Sequence, residues 1–415
     1  MKNPCLICVF YLFVLFSFFP YVELLSLGVD NQPNALILSL ILFPLWFKRK
    51  INVDIMCLFM LFLSSIIVFF IFYMRTHSIY TLKSIIQYLS LFVISFVTFE
   101  GLKRFHGFPY ILYALSILVW FACGTLQYYV DPLFGSSLLF RSSGVFQGGR
   151  GITSLATEPT YYGYICLFFI IIGYLNFSKK KSFNFLLLLL VFQLFFYSRS
   201  FTSFLVLMTS FVFTFFIAFV IRDKNRSKYA LFMSLFALFA LMAYFFSFYL
   251  SGSRFGYLIQ LFLDDPFEFL LLDSSANVRF TNIFFSIYAF FKDLFLPHGY
   301  NYFGSYIDEL LIDKPCFGAF FNAYTYQLKF NYVQSGIGNM FFELGVFSLL
   351  YINVYIRSFK RIISFDNSLL FFLVLYVILM FNSVSFGNSM ASFILGNIIY
   401  VAHKKHNQVK CVLLK

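Results

Sequence analysis

Residues 148–177 read GGRGITSLATEPTYYGYICLFFIIIGYLNF, and the contrast between the two halves decides the fold. From Pro159 to Phe177 the chain carries no charge. A helix of about 17–25 apolar residues crosses the hydrocarbon of a bilayer, so this half has the length of a membrane span. The half before it, a Gly/Ser/Thr-rich linker, is the most polar run in the central third, with Arg150 and Glu158 placed around it. Proline at the first helical position is a start signal, which puts Glu158 at the N-cap of the next helix. An acid there meets the positive end of the helix dipole, which favours its ionised form.

Composition extends that reading to the whole chain. Of 415 residues, 61% are hydrophobic and 11% charged. A soluble domain carries roughly a quarter charged residues, so this is membrane composition. Phe contributes 67 residues and Tyr 29, which suits lipid-facing helices with aromatic interfaces. The net charge of +13 raises nucleic-acid binding, but the basic residues form short clusters between apolar runs. No basic, aromatic-interleaved face for a polyanion is visible, and that function class is excluded. Seven cysteines show no metal-type or disulfide spacing; Cys5 and Cys8 are close but fall inside the first apolar run. That run lacks an Ala-x-Ala end and reads as a retained first helix.

Apolar runs recur near 5–27, 34–47, 53–74, 83–99, 108–128, 159–177, 183–197, 201–221, 229–250, 335–356, 368–383 and 389–402. Placing the N-terminus inside collects 20 of the 30 lysines and arginines on the cytoplasmic side. They lie at Lys2, Lys48–Lys50, Lys103–Arg104, Lys179–Lys181, Arg222–Lys228, Arg357–Arg361 and in the tail after Val401. The positive-inside rule therefore predicts an all-α, polytopic membrane protein of about twelve helices with both termini cytoplasmic. The chain is a single membrane domain over 1–415, with one large outer loop near 251–334. Within that loop, Thr281–Phe295 alternates apolar and polar residues and reads as an amphipathic helix along the membrane surface.

Three polar features fall on the outer side: the 129–158 loop, the turn Tyr197-Ser-Arg-Ser, and the large loop. Arg150 can be a loop anchor; its neighbours Gly148, Gly149 and Gly151 leave backbone amides free to cradle an anion. Arg199 can be a topological marker in a polar turn, and Arg279, in DSSANVRFTN, a solvated loop residue. Glu158 can be a plain helix cap, although Glu is not a preferred cap residue. His298, in PHGYNYFG, is the one histidine of the large loop, and the glycines around it imply a tight turn near a ligand. His77 lies in a short outer loop, while His106, His403 and His406 sit among cytoplasmic lysines. Neither a metal-ligand spacing nor a nucleotide-binding loop occurs. Arginine grips phosphate oxygens bidentately without a metal, so the implied ligand is an anionic amphipath such as a lipid pyrophosphate.

At these residues the chain resembles the O-antigen polymerases, with O-antigen ligases as more distant relatives. The signals are Arg150…Glu158-Pro-Thr opening a membrane helix, Ser198-Arg199-Ser at an outer turn, and Asn277-Val-Arg279 early in the large loop. Pro297-His-Gly299 and Gly338-Asn-Met-Phe-Phe-Glu343-Leu-Gly345 follow; together the resemblance spans roughly 140–350. It implies an inner-membrane glycosyltransferase, independent of metal and cofactor, joining undecaprenyl-pyrophosphate-linked oligosaccharide units at the periplasmic face. A hydroxyl of one unit attacks the anomeric carbon of the growing chain and the lipid pyrophosphate leaves. Arg150 and Arg279, with Arg199 as a third, would stabilise that leaving group. Glu158 and His298 are the candidates for general base, with His298 favoured for acceptor activation and Glu158 for organising Arg150. A separate chain-length regulator is usual for the family. Two other functions stay open: a flippase for the same lipid-linked units, and a ligase transferring finished polymer. A repeat-type transporter would carry internal symmetry and charges inside mid-chain helices.

Overall fold

The computed structural model describes residues 4–24, 29–47, 51–76, 80–141, 151–220, 254–328 and 333–413. Helices stand at eleven of the twelve apolar segments; the ninth, 229–250, lies outside the described residues. In chain order they are α1 (Pro4–Phe18), α2 (Asn34–Trp46), α3 (Val53–Thr76), α4 (Tyr80–Arg104), α5 (Tyr110–Tyr129) and α6 (Pro159–Phe177). Next come α7 (Lys181–Phe192), which runs on as a π-helical turn over Gln193–Ser198, and α8 (Phe201–Val220). Five shorter helices fill the region read as a loop: α9 (Arg254–Asp264), α10 (Pro266–Leu272), α11 (Ser274–Lys292), α12 (Phe303–Asp313) and α13 (Ala323–Leu328). The chain closes with α14 (Gly336–Leu344), α15 (Leu349–Ile363), α16 (Leu370–Phe381) and α17 (Ser389–Leu413).

Seven helices are long and apolar enough to cross a membrane, and three shorter apolar helices accompany them. These are the helices of a multi-pass membrane protein. Among the described residues there is no β-strand, only one isolated bridge between Val22 and Leu139. Helices satisfy their backbone groups internally, which is what a bilayer demands of a spanning segment.

Helix α6 is the axis of the bundle. From Tyr162 to Phe177 every residue but Tyr174 and Asn176 is buried, packed by α7, α8, α16 and α17. Lipid tails are as apolar as leucine, so such packing draws on close van der Waals contact more than on escape from water. Small residues allow it: a side chain at Gly163 would strike Ser203 of α8, and one at Gly173 would strike Phe183 and Tyr113. Large apolar side chains face outward instead, such as Phe213, Phe216 and Phe219 on α8 and Phe70 and Ile71 on α3.

Polar groups gather at the two ends of the bundle. At one end, buried Asp54 pairs with Arg357 (3.3 Å) and Arg361 (2.8 Å), and Asp366, just before α16, pairs with Lys405 (3.4 Å). The far end of α16, at Asn382 and Ser383, opens into a cavity that also takes in the starts of α6, α8 and α11.

Candidate functional site

The segment 151–158, buried through residue 157, is held by a few polar groups out of reach of water. Gln127 of α5 donates to the carbonyls of Ser154 (2.8 Å) and Phe134 (2.7 Å), and its own carbonyl accepts from the Ser154 amide (2.7 Å). Ser154, at φ +51°, also donates its hydroxyl to the Trp120 carbonyl (2.8 Å). The Ile152 amide donates to the Tyr197 carbonyl (2.9 Å). Gly151 lies so close to the backbone of Tyr197 and Ser198 that a β-carbon there would collide with it. The segment that delivers Glu158 is thus fastened to the turn that delivers Arg199.

Glu158 occupies the N-cap of α6 in an extended conformation (φ −145°, ψ 152°) with Pro159 behind it, as the sequence implies. Its side chain makes no capping bond. It reaches into the cavity, with Arg141 3.5 Å away. Asp30 accepts two 2.7 Å hydrogen bonds from Arg141, and these raise the guanidinium pKa further.

The π-helical turn adds a residue per turn and closes on Arg199, whose backbone is left-handed (φ 42°, ψ 36°). That conformation disfavours a residue with a β-carbon. The Arg199 guanidinium donates to the Phe196 carbonyl (3.1 Å) and the Tyr128 hydroxyl (3.4 Å), and lies 5.9 Å from the Tyr128 ring centre.

Arg279 sits on α11, not in a loop. Its Nε donates to Ser383 Oγ (2.7 Å) and a terminal nitrogen donates to Thr202 Oγ1 (2.6 Å). Three segments remote in sequence are joined by this one fork. Asp273 starts the helix by accepting from the Ala276 amide (2.8 Å) and also holds Arg254 (2.6 Å).

These groups line one cavity of about 910 Å³. One wall is apolar, made by Phe201, Leu205, Leu258, Phe269 and Leu270. The other carries hydroxyls and amides: Thr160, Tyr161, Thr202, Gln334, Asn382 and Ser383. Tyr161 lies within electrostatic reach of both Glu158 and Arg279. Arg141 and Arg254 are neutralised by Asp30, Glu158 and Asp273. Among the described residues, no carboxylate lies within 4.0 Å of Arg199 or Arg279. Two guanidinium groups without a carboxylate partner thus face a cavity whose lining is half apolar.

No family model and no curated protein matches the chain.

Of the residues singled out by sequence, Glu158, Arg199 and Arg279 therefore meet, and Arg150 lies outside the described residues. His298 is elsewhere. Its Nε2 lies 3.0 Å from Asp293 Oδ2, its ring stacks on Phe342 at 4.6 Å, and it is not among the cavity-lining residues. Tyr306 donates to the same Asp293 oxygen (3.1 Å); burial, reinforced by that carboxylate, holds its phenol well above the ordinary value. Sequence reasoning passed over Arg141, Arg254, Asp30 and Asp273 as site residues. The one local sign was Asp273 ahead of Ser-Ser, a usual N-cap pattern. Nothing in the chain links Asp30 to Arg141.

Proposed function

We propose that the protein is a membrane glycosyltransferase that polymerises surface polysaccharide from oligosaccharide units carried on undecaprenyl pyrophosphate. The observation that carries this reading is the cavity in which Arg199 and Arg279 have no carboxylate partner while Glu158 faces the same space. Negative charge builds on a departing diphosphate, and fixed cations aimed at it lower the barrier. The wall of Phe201, Leu205, Leu258 and Phe269 suits the start of a polyprenyl chain; the hydroxyl and amide wall suits sugar. A hydroxyl of the acceptor unit attacks the anomeric carbon, the bond to the diphosphate breaks, and the electron pair leaves with it. Glu158 takes the hydroxyl proton in this scheme; His298, outside the cavity, supports the 293–306 turn.

In the twelve-span arrangement with both termini in the cytoplasm, the cavity opens at the periplasmic face of the inner membrane. The gathering of Arg357, Arg361 and Lys405 at the opposite helix ends agrees with the positive-inside rule.

Lipopolysaccharide gels of a strain lacking the gene test the proposal. A polymerase leaves a single repeat unit on the surface and no ladder. A flippase leaves no repeat unit there, and a ligase leaves finished polymer on its lipid carrier; either profile overturns the reading.

A further inference from the structure

The cavity has a second charged array that the leaving-group chemistry does not use. Asp30 from the α1–α2 connection, Arg141 from the segment after α5, and Glu158 at the head of α6 form a chain of ion pairs. Its geometry is unequal. Asp30 takes both in-plane donors of Arg141 at 2.7 Å, the strongest arrangement available to a guanidinium and a carboxylate. Glu158 receives one loose contact at 3.5 Å. Its carboxylate is bound neither by the helix amides nor by a bidentate partner, so its lone pairs are turned toward the cavity. Arg141 is also the most exposed of the three, its side chain 53% accessible, so the array lies at the cavity mouth. Arg199, Arg279, Phe201 and Leu205 line the same cavity.

We infer that Arg141 is a positioning residue for acceptor activation: anchored by Asp30, it holds the Glu158 carboxylate at the cavity mouth as the proton acceptor for the incoming sugar hydroxyl. This rests on the glycosyltransferase reading above. The acceptor oxygen forms the new bond to the anomeric carbon and its proton passes to Glu158. The diphosphate leaves with the electron pair of the broken bond and takes up a proton from water as Glu158 returns one to solvent. Asp30 has a part beyond anchoring. By taking both in-plane donors of Arg141 it leaves Glu158 only the loose 3.5 Å contact, so the carboxylate stays open to a sugar hydroxyl. The other titratable groups within electrostatic reach of Glu158 are Tyr21 after α1 and Tyr161 and Tyr164 on α6; the two α6 tyrosines also feel Arg279 of α11.

The test uses full-length protein in proteoliposomes, with lipid-linked repeat units extracted from the deletion strain, and measures initial chain growth against pH. Arg141→Gln removes the cation beside the base, so the acid limb of the profile should move to higher pH. Asp30→Asn leaves the cation uncompensated, so the limb should move the opposite way. Arg141→Lys keeps the charge and should restore the limb, with a lower rate because the fork is lost. Thermal melts of each purified variant separate folding from chemistry. Limbs that stay in place, or that move in the same direction in both neutral variants, overturn the inference. So does a folded protein in which Gln and Lys at 141 are both inert at every pH, since Arg141 would then act on substrate directly. If wild-type vesicles grow no chain, the polymerase reading itself falls, and the role of Arg141 with it.

Discussion

Arg279 is the residue where positive charge and architecture coincide. Two of its five N–H donors go to the neutral hydroxyls of Ser383 and Thr202, which fix the plane of the guanidinium without cancelling its charge. A lysine cannot reproduce that fork, because its ammonium is a point charge on a flexible stem. Arg279→Lys should therefore lose most of the activity, and Arg279→Ala should lower chain growth by about a hundredfold or more, the scale of removing one fixed donor from a transition state. Growth measured in proteoliposomes at matched protein levels checks both. Arg199 allows a cleaner separation of fold from function. Its left-handed backbone costs about 1 kcal/mol for any residue with a β-carbon. Arg199→Gly relieves that cost while deleting the charge, so the melting temperature should hold or rise as activity falls at least tenfold. A variant that melts lower and retains activity would remove Arg199 from the site. Both arginines were visible in the sequence as candidates because charge is rare in so apolar a chain. What they bond to was not visible, since Thr202, Ser383 and Tyr128 are ordinary polar residues brought together only by folding.

At the scale of elements, hydropathy carried most of the information. Runs of uncharged apolar residues are read by a bilayer as directly as by a reader, and the helices fall where those runs predict. The start of α6 was equally plain, because Glu158-Pro159 is a local signal that needs no tertiary partner. Two elements escaped. Gln193–Ser198 has the composition of the helix before it, and nothing local announces a π-turn. The 254–328 region was read as loop with one amphipathic helix. It holds five short helices, and α11 starts earlier, at Ser274, so that it carries Arg279. Capping by Asp265 and Asp273 is what segments this region, and the longer apolar periodicity masked it. Three of the hydrogen bonds around segment 151–158 run through one side-chain amide. Gln127→Leu preserves bulk but strands the Ser154 amide and the carbonyls of Ser154 and Phe134 away from water. At about 1–3 kcal/mol for each buried group left unpaired, the variant should melt markedly lower in detergent and accumulate poorly. An unchanged melt would show that this segment is held in some other way.

For the molecule as a whole, the arrangement is polar: charge pairs at one set of helix ends, an arginine-lined cavity at the other. If the 254–328 helices face the periplasm, Cys316, which is exposed between α12 and α13, is a reporter of sidedness. In a variant keeping only that cysteine, a membrane-impermeant maleimide should label intact spheroplasts as fully as lysed ones. Labelling only after lysis would invert the topology and place the cavity on the wrong side for a periplasmic enzyme. The clustering of lysines and arginines between spans gives a predicted sidedness that this labelling checks, whereas the cavity was not legible, since its lining comes from several separate stretches of chain.

The fastening of Gly151 and Ile152 to the Tyr197–Ser198 backbone also bears on how the protein can be handled. A fluorophore or epitope spliced into 151–158 would dislodge Arg199 as surely as a change at Arg199 itself. The turn at His106–Gly107 is the better graft point. Its glycine has open space around it, and it lies at the end of α4 remote from the cavity, so a reporter there would follow the protein in living cells without silencing it.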